Sequence, residues 1–100
     1  MLTAPTPPDQ RDTPEGHAYF LWDTKVSWSD FVRRVRSVDQ DEADYWLARA
    51  LRDARPDDVV EVASLAEVAD SWPRINHRLG RQRAFWHWLL TRKGFDVGPG

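Results

Sequence analysis

The stretch DQDEADYWLARALRDARP (residues 39–56) decides the fold. Ala43, Trp46, Leu47, Ala50, Leu51 and Ala54 recur at steps of three and four, the spacing that lines one face of an α-helix. Asp39 stands where a helix N-cap is wanted, and Asp41, Glu42 and Asp44 place negative charge on the positive end of the helix dipole. Arg55-Pro56 closes the stretch, because a residue that precedes proline is pushed out of the α region. One amphipathic helix of this kind needs others to cover its apolar stripe, and the rest of the chain is read for them.

N-terminal to it, Ser27 with Asp30 resembles a capping box, and Trp28, Phe31, Val32, Val35 and Val38 then share one face, with Arg33, Arg34 and Arg36 turned away. C-terminal to it, Pro56 opens a short helix in which Val59, Val60, Val62 and Ala63 are candidates for burial. A strand competes for DVVEVA (58–63), but no second strand offers itself for pairing. Ser64 and Glu67 form a capping-box pair, and Leu65, Val68, Ala69 and Trp72 follow at helical spacing. Pro73 is expected to break or restart the chain there, and Gly80 suits the left-handed position that ends the next short turn. A last helix runs from about residue 81 to 92 and ends at Gly94. The expectation is an all-α fold: a compact bundle of four to five short helices over residues 19–94.

Residues 1–18 hold four of the seven prolines and almost nothing to bury, so a disordered proline-rich arm is expected there, with a loose tail over 95–100. The chain has no cysteine, which excludes disulfides, thiolate nucleophiles and Cys-based metal sites. No apolar run approaches the ~20 residues that span a bilayer. The first residues lack the apolar core of a secretory signal, so the reading expects a cytoplasmic protein without membrane contact. His17, His77 and His87 have no ligand-spaced partner, and neither a nucleophile elbow nor a glycine-rich phosphate loop occurs. No catalytic residue, metal or cofactor is expected.

Charge is uneven although its sum is only −2. Residues 39–70 hold ten acids against three arginines, whereas residues 71–95 hold Arg74, Arg78, Arg81, Arg83, Arg92 and Lys93 and no acid. Six tryptophans are the second anomaly, since tryptophan both fills small cores and anchors interfaces. In PRINHRLGRQRAFWHWLL (73–90) these features meet. A helix-turn-helix reading uses residues 64–71 as first helix and 73–79 as reading helix, with Arg74, Asn76, Arg78, Arg81 and Arg83 on phosphates and base edges. The plainer reading makes these residues a solvated basic rim. In the second half, six of the seven residues from Ala84 to Leu90 are apolar. The last helix is then either covered on most sides or leaves Trp86 or Trp88 exposed to a partner. The AYFLW segment raises the same choice for Tyr19, Phe20 and Trp22: a strap over the core edge, or a linear motif.

The patterns YWLARALRDARPDDV (45–59) and EVADSWPRINHRLGRQRAFWHWLL (67–90) resemble short helical bacterial proteins encoded beside nucleotidyltransferase-type toxin genes. The resemblance spans about residues 28–92 and carries no functional residue with it. It implies an antitoxin-like or regulatory protein that binds another protein. The expected function is a non-enzymatic protein-interaction module that uses Tyr19, Phe20, Trp22, Trp86 and Trp88, with the basic rim orienting an acidic protein partner. A small DNA-binding regulator and a structural subunit of a larger assembly are the alternatives.

Overall fold

The computed structural model describes residues 5–99. Five helices follow one another: α1 (Trp28–Val35), α2 (Gln40–Asp53), α3 (Pro56–Val62), α4 (Leu65–Ile75) and α5 (Gln82–Arg92). Single 3-10 turns occur at Pro8–Gln10 and Asn76–Arg78. The described residues contain no strand, only one isolated bridge between Asp12 and Ala18. None of their helices is long and apolar enough to cross a membrane.

Helix α2 is the axis of the bundle, and its start is written in Asp39, whose carboxylate accepts the Asp41 and Glu42 amides at 3.0 and 3.3 Å. Trp46, Leu47, Ala50 and Leu51 are buried on the expected stripe. At its far end the chain turns before Pro56, so the Leu51 carbonyl loses the amide that a continuing helix would supply. The indole N–H of Trp86, from α5, donates to that carbonyl at 2.8 Å. The Arg55 amide, released from the helix, donates instead to the Tyr19 hydroxyl at 2.8 Å. Two aromatic side chains therefore satisfy the break that Pro56 imposes, and both tie other elements to α2.

Helix α4 opens with the expected reciprocal cap. The Glu67 amide donates to Ser64 Oγ at 3.1 Å, and the Ser64 amide donates to Glu67 Oε1 at 2.9 Å. It does not stop at Pro73, however, but runs through it to Ile75. Proline this close to a helix end removes one hydrogen bond and exposes its ring to solvent, which a last turn tolerates. Asn76 then closes the helix, its side-chain Nδ2 donating to the Trp72 carbonyl at 2.7 Å. Ile75 and Leu79 both lie in the core, and Gly80 takes φ +54°, the left-handed conformation that turns the chain into α5.

Three further readings are corrected. Helix α1 ends at Val35, so Val38 belongs to the connection to α2 and is fully exposed rather than part of the stripe. The tail is not loose throughout: Phe95 and Val97 pack against the core, and the Phe95 amide donates to the Leu90 carbonyl at 2.9 Å. Residues 1–4 of the proline-rich arm lie outside the described residues, but from Thr6 onward the arm is a docked strap rather than a free one. Thr6 is buried against α3, Arg11 pairs with Glu61 at 2.9 Å, and Asp12 accepts the Trp28 amide at 2.7 Å. These anchors are polar pairs, which is why a composition poor in apolar residues gave no sign of them.

Candidate interaction surface

The six tryptophans divide by environment. Trp46, Trp72 and Trp86 are buried, and Trp28 is half-buried among Phe20, Phe31 and the Arg11 guanidinium. Trp22 and Trp88 are the exceptions, with 77% and 49% of their surface open to solvent. Of the five aromatic residues singled out as anchors, Phe20 and Trp86 are therefore core residues and present nothing to a partner. Trp86 is wholly enclosed, and Phe20 packs edge-to-face on Phe31 at 5.0 Å. Tyr19 is half-buried with its hydroxyl committed inward, donating to Asp58 at 2.6 Å. The segment at 18–22 is thus a strap whose Phe20 and Leu21 face the core while Trp22 faces out.

Helical geometry places Trp88 at the centre of the open face of α5. Arg81, Phe85, Trp88 and Arg92 lie at successive steps of four, three and four residues, which keeps them on one line along the helix. Phe85 is half-buried and lies 6.2 Å from Trp88, ring to ring. The Arg92 guanidinium sits 5.8 Å from the Trp88 centroid. Ala84 and Thr91, both small and exposed, lie one turn before and after the indole, which stays half-exposed. The opposite side of α5 holds the buried Trp86, Leu89 and Leu90.

The basic segment is dispersed by the fold. Arg74 is bound to Asp44, with Nε 2.7 Å from Oδ2, and this bond raises its pKa. Asn76 caps α4 and accepts from Arg83 Nε at 3.2 Å, while the Arg83 guanidinium lies 5.5 Å over Trp72. Three of the five residues proposed to read bases are thus engaged within the chain. Arg78 and Arg81 are exposed, and their side chains make no hydrogen bond or ion pair to another described residue. Residues 73–79 do not form a reading helix either, because 73–75 end α4 and 76–78 are a 3-10 turn. Residues 64–79 therefore do not form the expected helix-turn-helix. His87 is half-buried, 6.0 Å from the Trp72 ring, with Nε2 at 2.6 Å from the Gly98 carbonyl.

Two features escaped the sequence reading. Tyr45 is half-exposed on the edge of α2 and contacts Arg49, whose guanidinium is buried and tied to Asp23, Asp53 and the Tyr45 hydroxyl. Burial alone pulls the Arg49 pKa down, but the bonds to Asp23 and Tyr45 outweigh it and hold the charge. Arg52 and Arg78 line the same shallow depression, so an aromatic edge and two cations adjoin there. Tyr45 stands one position before Trp46 of the stripe, and that was the available signal. The second feature is a groove of about 480 Å³ between the end of α1, the start of α2, and α4. Its floor includes Val35, Ala43, Leu47 and Ala63, and its rim carries the ion pairs Arg36–Glu67 (2.6 Å) and Arg74–Asp44 (2.7 Å). Both rim cations are neutralised by neighbouring acids. Among the described residues, no group of three His, Asp or Glu stands together to hold a metal ion.

No family model, curated protein or solved structure matches this chain.

Proposed function

We propose that this chain is a non-enzymatic, cytoplasmic protein-interaction module, antitoxin-like or regulatory in kind, that grips a protein partner through Trp88 and Trp22. The observation that carries the reading is the exposure of these two indoles in a chain that packs the other four. Leaving a large indole in water forgoes the free energy of burying it, and exposed aromatic surface of this kind marks interfaces. Tryptophan and arginine are also the residues that most often dominate binding energy, and Trp88 has Arg92 stacked beside it. Arg78 and Arg81, which lack internal partners, would speed encounter with an acidic surface more than they would tighten the complex.

The test is affinity capture from host lysate with the wild type, Trp88→Ala and Trp22→Ala, each divided into nuclease-treated and untreated halves. The expected result is one stoichiometric protein that survives nuclease and is lost with Trp88→Ala, while far-UV circular dichroism of the variant stays that of the wild type. Capture that depends on nucleic acid, or that both tryptophan variants retain, overturns the reading.

A further inference from the structure

The proline-rich strap is held by recognition chemistry rather than by core packing. Asp58, in the first turn of α3, is fully buried, and its carboxylate takes three donors. Oδ1 accepts the Thr6 amide at 2.7 Å, and Oδ2 accepts the Thr6 hydroxyl at 2.7 Å and the Tyr19 hydroxyl at 2.6 Å. Arg55 Nη1 donates to the Thr6 hydroxyl oxygen at 3.1 Å, so both functions of that hydroxyl are used. Five residues further on, Arg11 is held as fully. Its Nη2 donates to Glu61 at 2.9 Å, its Nε donates to the Thr6 carbonyl at 3.0 Å, and its guanidinium lies 4.8 Å from the Trp28 centroid. The linking residues are exposed, Pro7 and Pro8 included, and Pro7 has φ −56° and ψ 144°, the polyproline II conformation. Residues 6–11 thus touch the body at a threonine and an arginine, joined by one polyproline II step at Pro7 and a 3-10 turn over Pro8–Gln10.

We propose that Asp58, Glu61, Tyr19, Arg55 and Trp28 form a binding site for peptides of the pattern Thr-Pro followed, across one 3-10 turn, by an arginine five residues after the threonine. The chain's own residues 5–12 fill this site in cis, and the same chemistry offered in trans enters it when they leave. The threonine is read by its hydroxyl, since valine would leave a buried carboxylate lone pair without its donor. The proline pre-sets the polyproline II step that leads into the turn and lowers the ordering cost of binding. The arginine is read by Glu61 and by the face of Trp28. A tethered arm competes at an effective concentration in the millimolar range, so an untethered ligand gains access chiefly where the arm is weakened. The occupant in trans is the same arm of a second copy of this chain, since that is the sequence the site holds in cis.

The full-length double variant Thr6→Val/Arg11→Ala, which alters only the strap, is titrated against fluorescein-labelled PTPPDQRD by fluorescence anisotropy. Saturable binding is expected, at least about tenfold tighter than to the wild type, whose site is filled. A peptide with Thr→Val, or with Arg→Ala, is expected to bind about tenfold more weakly or worse, whereas Thr→Ser retains affinity. Glu61→Gln, a change on a half-exposed side chain, lowers affinity severalfold in the double-variant background. Sizing of the wild type at rising concentration tests the occupant: a dimer lost in the strap variant shows arm exchange between copies, and a monomer at every concentration overturns that occupant. Absence of saturable binding to a double variant with wild-type circular dichroism refutes the site, as does equal binding of the Thr→Val peptide. If the double variant loses its helical signal, the single Arg11→Ala chain carries the same titration and the same two refuting outcomes.

Discussion

Replacing Trp86 by phenylalanine tests the packing logic of the bundle at its most specific point. The residue is wholly buried, and its indole N–H supplies the donor that the Leu51 carbonyl lost when α2 ended before Pro56. Phenylalanine keeps most of the apolar contact but leaves that carbonyl enclosed and unpaired, at a cost of about 1–3 kcal/mol. The missing part of the bicycle leaves a void that adds about 1 kcal/mol. The sum, about 2–4 kcal/mol, is a large share of what a domain this size commands, and would lower Tm by about 10 °C or more. Urea and thermal unfolding followed by far-UV circular dichroism measure it, and an unchanged urea slope verifies that both proteins expose the same surface on unfolding. Trp88→Phe, two residues away on the open face, is the comparator and is expected to stay within about 0.5 kcal/mol of the wild type. The reasoning fails if Trp86→Phe is equally mild, or if Trp88→Phe costs as much.

Three further outcomes follow from the same geometry. Burial, and then the Asp58 carboxylate to which it donates, push the Tyr19 hydroxyl from 10.0 up to about 12. A group raised on folding contributes stability that is whole below its unfolded value and is lost as pH rises towards the folded one. The wild type should therefore lose about 1–3 kcal/mol between pH 10 and 12 that Tyr19→Phe does not lose, read from urea midpoints across that window. Ser64→Ala removes the acceptor of the Glu67 amide and should cost about 1 kcal/mol, whereas Ser64→Gly costs a few tenths; equal losses in urea unfolding would refute the cap. Gly80→Ala meets no atom within 4 Å of its new Cβ, so the left-handed φ alone sets its cost, about 1–2 kcal/mol. Gly80→Asn should lose less than Gly80→Ala in thermal unfolding, because asparagine tolerates that conformation.

Helix type and order were legible because they depend on neighbours in sequence. The stripe of α2, the Ser64–Glu67 box, the proline that opens α3 and the glycine that turns into α5 each act within four or five residues, and each appears where the pattern put it. Pro73 and Val38 misled for the same local reason. A proline costs a helix little in its last turn, and a valine at the right spacing adds nothing once the helix has already ended.

What tertiary structure alone decided is which of two chemically identical groups faces water. Trp86 and Trp88 differ by two residues, and helical rotation turns one into the core and leaves the other out. On a helix apolar nearly all round, the pattern does not say which face the bundle takes. Arg74, Asn76 and Arg83 looked like a free reading set until Asp44, thirty positions away, claimed Arg74, the Trp72 carbonyl claimed Asn76, and Asn76 with the Trp72 ring claimed Arg83. The strap was invisible for a related reason: its anchors, Asp58 and Glu61, lie about fifty residues from Thr6 and Arg11. Local sequence fixes a helix through contacts one turn apart, but exposure and charge pairing are settled by whatever distant side chain the fold brings alongside.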